Sequence, residues 1–250
     1  MKAVVRFFSL GLLALSAAPL VHAGETHSVV LVHGAFADGS SWDRVIPRLQ
    51  AKNYEVIAVQ LPLTSLQDDV AATQRAIARA KGDVVLAGHS WGGTVITEAG
   101  NDKKVKALVY IAAFAPDKGQ STAALADSYP APPGSASLKK SADGFLSLPP
   151  SALAADFAPD VPAAQQKLMS VTQGPIRAAA FDDKVAQAAW AQKPSWYLVS
   201  TQDRMINPDL ERAMAHKIHA QTREVASSHV SMVSHPDDVA RMITAAVQAK

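Results

Sequence analysis

A serine lies at the centre of a Gly-x-Ser-x-Gly pattern in the segment Gly88 to Gly92, where Ser90 is that serine. The apolar run Asp83 to Ala87 predicts a short buried strand before it, and Thr94 to Ala99 predicts the start of a helix after it. A turn this tight strains the backbone of the serine and exposes its hydroxyl, and the amides that open the helix point toward that oxygen. The pattern therefore predicts a nucleophilic serine.

The last four histidines of the chain are the candidates for a base. A serine hydroxyl is a weak nucleophile at neutral pH, so it needs a base within hydrogen-bond reach and an acid that orients the base. His216 and His219 lie in a helical run and are most simply surface residues, and His235 directly precedes Pro236. His229 follows the last predicted strand by a short loop, at the sheet edge toward which the serine turn also points. We therefore predict that His229 is the base.

Two aspartates are candidates for the orienting acid. Asp203 follows the predicted strand Trp196 to Ser200, and one helix and one strand fit between it and His229. Asp117 follows the preceding predicted strand, Val105 to Ala113. The carboxyl ends of both strands lie at the same edge of a parallel sheet, so each position could supply the acid. We prefer Asp203 and keep Asp117 as the alternative.

Alternating strands and helices must position these residues. Further strands are predicted at Ser28 to Val32, Tyr54 to Val59 and Thr222 to Ala226, and helices at Ser41 to Ala51, Leu66 to Ala80, Asp209 to Ile218 and Pro236 to Val247. The strands are continuous apolar runs, which is typical of parallel strands buried on both faces. The sequence therefore predicts the α/β class, with a mostly parallel sheet of about six strands and helices on both faces.

The segment from Pro116 to Pro194 departs from this alternation. It is rich in Ala, Pro and Ser, no strand is expected in it, and short helical pieces are expected at Ala163 to Ser170 and Lys184 to Ala191. A structureless loop of this length is unusual inside a compact domain. We therefore predict that residues 116–194 form a small, mostly helical lid, inserted into a single domain that spans residues 24–250.

The order of these motifs resembles the α/β-hydrolase superfamily over the whole of residues 24–250. The resemblance rests on the start of the sheet, the serine turn, the insertion and the two later segments: His33-Gly34-Ala35, Ser90, residues 116–194, Thr201-Gln202-Asp203 and Ser228-His229. It is closest to the small-lid branch of methylesterases and hydroxynitrile lyases and its exported bacterial relatives. The resemblance implies a catalytic triad in the chain order serine, acid, histidine.

The resemblance also implies how the remaining site residues act. The backbone amides of Ala35 and Trp91 would form an oxyanion hole, a pair of donors that stabilises negative charge on the reacting oxygen. The side chains of Phe36 and Trp91 would form apolar walls of the substrate site. Gly34 and Val230 stand where lyases of this branch carry a polar side chain and a lysine. These two positions therefore favour esterase chemistry over the lyase reaction.

The first 23 residues have the pattern of a signal peptide. Lys2 and Arg6 precede the apolar run Phe7 to Leu15, which is too short to span a bilayer, and Val21 to Ala23 offers a cleavage site. Cleavage there lowers the number of basic residues from 24 to 22, equal to the 22 acidic ones, and no basic block suggests nucleic acid or anionic lipid as a partner. We therefore expect a periplasmic or secreted protein without a stable membrane anchor.

The absence of cysteine excludes a thiol nucleophile, a cysteine-ligated zinc site and disulfides. His33 has no partner at metal-ligand spacing and no cofactor motif is present, so neither a metal nor a cofactor is expected. The predicted function is hydrolysis of a small uncharged carboxylic ester through an acyl-enzyme. A lyase or a cofactor-free perhydrolase with the same triad, and a non-catalytic ligand-binding member of the fold, are the alternatives.

Overall fold

The computed structural model of the protein describes Met1 and residues 27–249. Apart from Met1, the predicted signal peptide of residues 1–23 lies outside the described residues. None of the helices in the described ranges has the length and apolar character needed to cross a membrane.

Six parallel strands form the central sheet. They are β1 (Ser28–Val32), β2 (Glu55–Ala58), β3 (Val84–Ser90), β4 (Val105–Ala113), β8 (Ser195–Ser200) and β9 (Gln221–Val225). Their order across the sheet is β2-β1-β3-β4-β8-β9, and every pair of neighbours is parallel. All residues of β1, β3 and β8 are buried, so both faces of the central sheet are covered. The predicted α/β class with a six-stranded sheet is confirmed.

Nine α-helices occur in the described residues. They are α1 (Ile46–Gln50), α2 (Leu66–Arg79), α3 (Trp91–Ala99), α4 (Thr122–Ala126), α5 (Pro150–Ala152), α6 (Ala163–Thr172), α7 (Pro208–Lys217), α8 (Ser231–Ser234) and α9 (Pro236–Gln248). Helices α2 and α3 pack on each other, as do α1 and α9. The side chain of Ser65 caps α2 by accepting a hydrogen bond from Asp68 N at 3.1 Å, which fixes where this helix begins.

The segment between β4 and β8 contains more than helices. Three short antiparallel strands, β5 (Lys139–Lys140), β6 (Phe145–Ser147) and β7 (Ile176–Arg177), form a second sheet in it. The expectation that this segment has no strand is therefore wrong. The predicted helix at 184–191 is also wrong, since only a 3₁₀ turn at Ala189–Ala191 forms there. The three strands and the 3₁₀ turn are each two or three residues long, which is too short to leave a periodic pattern in the sequence.

The carboxyl ends of the central strands position the candidate residues. Ser90 is the last residue of β3, Asp203 follows β8, and His229 follows β9. The turn that contains Ala35 follows β1. Since all six strands run in the same direction, these four segments meet at one edge of the sheet, which is where ligands bind in open α/β sheets.

Candidate active site

Ser90 occupies a strained turn between β3 and α3. Its backbone has φ 53° and ψ −122°, a conformation that a residue with a side chain rarely adopts. A Cβ atom added to Gly88 would lie 2.5 Å from the carbonyl oxygen of Gly92, and one added to Gly92 would lie 2.6 Å from that of Val32. Any larger residue at either glycine would open the turn. The two glycines therefore hold the Ser90 hydroxyl at the end of the strand.

His229 and Asp203 form a buried pair. His229 Nδ1 donates a hydrogen bond to Asp203 Oδ2 at 2.5 Å, and both side chains are almost wholly shielded from solvent. The other oxygen of Asp203 accepts hydrogen bonds from the backbone amides of Met205 and Ile206, at 2.6 and 2.9 Å. Because the carboxylate is held by three donors, the imidazole has one orientation, with its proton on Nδ1 and its Nε2 free to accept another.

A cavity of about 230 Å³ joins Ser90 and His229. Among the described residues, the Ser90 hydroxyl has no hydrogen-bond partner, and no aspartate, glutamate, lysine or arginine lines this cavity. The remaining lining is mostly apolar and comes partly from the segment between β4 and β8: Ala35, Phe36, Phe114, Thr122, Ala123, Ala126, Ser135, Leu138, Phe181, Met205 and Ile206. The site can therefore hold a small uncharged molecule against the serine.

Two backbone amides are available beside Ser90. Trp91 is the first residue of α3, so its amide has no acceptor within the helix. Ala35 lines the cavity, and its amide has no backbone acceptor among the described residues. Because Gly34 has no side chain, the turn that contains Ala35 can lie close to Ser90. A Cβ atom added to Gly34 would lie 2.7 Å from Ser90 Cβ. Ala35 and Trp91 therefore both lie beside Ser90, and their role as an oxyanion hole stays a prediction.

His33 holds this turn rather than taking part in a metal site. Its Nδ1 donates to the carbonyl oxygen of Gly34 at 2.8 Å, and its Nε2 accepts from the amide of Leu61 at 3.0 Å. Burial lowers the pKa of His33, so the ring stays uncharged. The segment between β4 and β8 supports the turn as well, because the amide of Phe36 donates to the carbonyl oxygen of Gly174 at 3.2 Å. Within the described ranges, no group of three or more metal-ligating side chains is present.

The side chain of Trp91 does not form a wall of the cavity, so this expectation is corrected. Its indole is fully buried, and Nε1 donates to Asp69 Oδ2 at 2.7 Å. Phe181 does line the cavity, and its ring packs edge-on against the indole with ring centroids 5.4 Å apart. The hydrogen bond draws the indole toward α2, where burial raises the pKa of Asp69 to about 6. Phe36, in contrast, lines the cavity as predicted.

Asp117 is not brought to the histidine. Its half-exposed side chain forms an ion pair with Lys217. Of the other histidines, His216 and His219 lie beside each other on the surface of α7 and its end, and His235 precedes α9. The structure thus brings together Ser90, His229 and Asp203 and leaves the alternative acid outside the site.

Two buried residues beside Asp203 and His229 were not found from the sequence. Glu211 is fully buried behind Asp203; its Oε2 accepts from Ser200 N at 3.1 Å, and its Oε1 has no partner among the described residues. His89 is fully buried, 4.6 Å from the His229 ring between centroids, and its Nε2 donates to the carbonyl oxygen of His229 at 2.9 Å. Burial lowers the pKa of His89 well below its ordinary value. The sequence did contain a signal for Glu211, because this charged residue lies on the same face of α7 as the apolar residues that are buried.

The Glu211 carboxyl should make stability depend on pH. Burial and the neighbouring Asp203 charge raise the pKa of Glu211 well above its ordinary value. The unfolded chain releases this proton above pH of about 4.3, whereas the folded protein keeps it, so stability falls as pH rises toward the folded-state pKa. Gln has no proton to lose and keeps an oxygen for Ser200 N. Glu211→Gln should therefore melt higher than wild type at pH 8, by several degrees, with the difference shrinking toward pH 5.

Thermal unfolding measured from pH 5 to pH 8 tests this expectation. Asp209→Asn is the matched control, because Asp209 lies on the same helix with an exposed side chain. The control should shift the melting temperature by little at any pH. A neutral Glu211 is contradicted if Glu211→Gln melts below wild type at pH 8. It is also contradicted if the difference in melting temperature between the two proteins is the same at every pH.

Comparison with known proteins gives one family and several relatives. The profile of the alpha/beta hydrolase family matches residues 29–242. The alpha/beta hydrolase nvfD of Aspergillus novofumigatus is 28% identical over 245 residues, which cover 86% of this chain and 94% of the relative. The resemblance that the motifs indicated is confirmed by these matches.

Two solved structures have the same fold. A pyrethroid hydrolase from Sphingobium faniae has a TM-score of 0.77 at 21% identity, covering 90% of this chain and 98% of its own. An extracellular alpha/beta-hydrolase from a Paenibacillus species has a TM-score of 0.74 at 22% identity, covering 89% and 99%. The latter is described as sharing structural and functional homology with tobacco salicylic acid-binding protein 2.

Proposed function

Since the chain belongs to the alpha/beta hydrolase family, we propose that it is a serine hydrolase that cleaves small, uncharged carboxylic esters. One observation carries the proposal: the buried His229–Asp203 pair and Ser90 meet at a cavity without a charged lining residue among those described. Such a cavity favours neutral substrates, because burying an unpaired charge there has a large free-energy cost.

The reaction begins with Ser90. Its oxygen attacks the ester carbonyl while His229 Nε2 takes the hydroxyl proton, and Asp203 stabilises the resulting imidazolium. The amides of Ala35 and Trp91 donate to the oxyanion of the tetrahedral intermediate. His229 then gives the proton to the leaving alcohol, which leaves an acyl group on Ser90. Water, activated by His229, attacks this acyl-enzyme and releases the acid.

The dimensions of the cavity limit the substrate. A volume of about 230 Å³ lies at or below the small end of ligand pockets. Phe181, Leu138 and Met205 line it, so the acyl group or the alcohol that enters should be short or flat. The Sphingobium pyrethroid hydrolase with the same fold supports hydrolysis as the reaction class.

The proposal includes export. The basic start, the short apolar run and the small residues at Val21 and Ala23 support cleavage after Ala23. An intact mass that begins at Gly24 in the periplasmic or secreted fraction is the measurement that decides it.

Hydrolysis of a panel of neutral p-nitrophenyl esters, from acetate to decanoate, tests the proposed reaction. We expect kcat/KM to be highest for short acyl chains and to fall for chains that the cavity cannot hold, by about 10-fold or more for each methylene that is not accommodated. A fluorophosphonate probe should label the wild type and not Ser90→Ala. Turnover of mandelonitrile without ester hydrolysis would instead identify a lyase, and absence of labelling and turnover would identify a binding protein.

A further inference from the structure

The lid is tied directly to the loop that carries the catalytic histidine. Asp160 lies in the lid just before α6, and its Oδ2 accepts a hydrogen bond from Ser228 N at 2.9 Å. Its Oδ1 accepts a second one from Ser228 Oγ at 2.5 Å. Both contacts are made to the residue that immediately precedes His229. A carboxylate that accepts two hydrogen bonds from one residue restricts that residue strongly.

The contact continues to the other side of His229. The amide of Val230 donates to Ser228 Oγ at 3.4 Å, so the hydroxyl held by Asp160 also lies against the residue after the histidine. Ser228 is 1% exposed, so its own groups are shielded from water, while the Asp160 side chain is 23% exposed. His235 lies nearby, with its Nδ1 3.9 Å from Asp160 Oδ2. Asp160 therefore fixes the backbone from which the His229 ring projects.

The part of the lid just before Asp160 also packs on the ring of His229. Phe157 is almost fully buried, and its ring meets that of His229 edge-on, with centroids 5.2 Å apart. In the same turn, Asp156 Oδ1 accepts from Arg204 Nε at 2.8 Å, but half of the Arg204 side chain is exposed. An ion pair of that kind contributes little. The lid thus contains two carboxylate links of similar chemistry: that of Asp160 ends on the buried Ser228 in the histidine loop, and that of Asp156 ends on the half-exposed Arg204.

We propose that Asp160 is a positioning residue, which holds His229 in line with Ser90 through the backbone and hydroxyl of Ser228. The lid then has a second role besides covering the cavity, since it completes the geometry of the base. The inference rests on the proposed function, because the expected effect on turnover requires that His229 is the base.

Kinetics of three lid variants test the assignment. Asp160→Ala removes both hydrogen bonds, and we expect kcat to fall by about 10-fold to 100-fold with KM nearly unchanged, because misplacing a catalytic group lowers the rate more than binding. Asp160→Asn should retain most of the rate, since its oxygen accepts from Ser228 N and its amide can donate to Ser228 Oγ. Asp156→Ala is the matched control in the same turn and should keep kcat within about 3-fold.

A second readout needs no substrate. The proton between His229 Nδ1 and Asp203 Oδ2, a hydrogen bond of 2.5 Å, should give a low-field signal in a proton NMR spectrum. We expect Asp160→Ala to broaden or remove this signal and Asp156→Ala and Asp160→Asn to keep it. Wild-type protein without ester turnover would overturn the proposed function, while this comparison would still decide the positioning role.

Several outcomes would overturn the positioning role. They are a kcat for Asp160→Ala close to wild type, an unchanged NMR signal in that variant, or an equal loss in Asp156→Ala. If Asp160→Ala does not fold, Ser228→Ala replaces it, because it removes the hydroxyl and keeps the backbone hydrogen bond. We expect this variant to lose part of kcat, and a wild-type rate with an unchanged signal would refute the role.

Discussion

Ser90→Ala should lower kcat for ester hydrolysis by about 10⁴-fold or more, without changing the fold. The hydroxyl makes no hydrogen bond with the described residues, so its removal leaves no buried group without a partner, and alanine fits the space. The strain at φ 53° is present with either residue. The whole loss should therefore appear in turnover, with the melting temperature close to that of wild type.

His229→Ala should lower kcat about as much, and the double variant should be little worse than either single one, because a nucleophile and its base act as a unit. Ser128→Ala is a matched control, since that hydroxyl donates to a lid carbonyl oxygen, Leu125 O, and Ser128 is not among the residues that line the cavity. It should keep the wild-type rate. Rapid ester turnover by Ser90→Ala, measured with enough enzyme to detect about 10⁻⁵ of the wild-type rate, would refute the mechanism.

Most strands of the central sheet could be predicted because the burial of β1, β3, β4 and β8 determines their apolar composition. The strands β1 and β4 match their predicted bounds, and β2, β8 and β9 differ by one residue at one or both ends. The strand β3 extends three residues beyond its predicted end, to Ser90. The predicted helix Ser41 to Ala51 was less accurate, since it forms as a 3₁₀ turn at Gly39–Trp42 followed by α1. Pro47 explains the break, because proline is accommodated in the first turn of a helix but not in its interior.

The three candidate residues could be placed because each lies at the end of a strand or a few residues after it. In a parallel sheet the strand ends lie together, so a local pattern was enough to bring Ser90, Asp203 and His229 to one edge. The choice between Asp203 and Asp117 needed coordinates, since both follow strands. The difference arises from the loops, which turn Asp203 toward His229 and Asp117 toward Lys217.

Side-chain direction and long-range contacts could not be predicted. Trp91 follows Ser90 in the sequence, but its indole is drawn to Asp69, a residue in the first turn of α2 and 22 positions earlier in the chain. Asp160 lies 68 residues from Ser228. No local periodicity records such a pair, because it depends on how the lid folds back over the strand ends.

Asp203→Asn should reduce kcat by between about 10²-fold and 10⁴-fold, through the tautomer of His229. Two backbone amides, of Met205 and Ile206, donate to Oδ1 of Asp203. An asparagine must therefore place its carbonyl oxygen at that position and its NH₂ group toward His229 Nδ1. The imidazole can then only accept at Nδ1, so its proton moves to Nε2, where it can no longer receive the proton of Ser90.

Asp117→Asn provides the comparison that separates the two candidate acids. The Asp117 side chain is half exposed and pairs with Lys217 on the surface, and exposed ion pairs contribute at most about 1 kcal/mol to stability. We expect its kcat to stay within about 2-fold of wild type. Both variants and the wild type should be assayed on the same short-chain ester, with melting temperatures measured alongside. If Asp117→Asn is the slower enzyme, Asp203 is not the orienting acid, and the lid must move Asp117 to His229 during turnover.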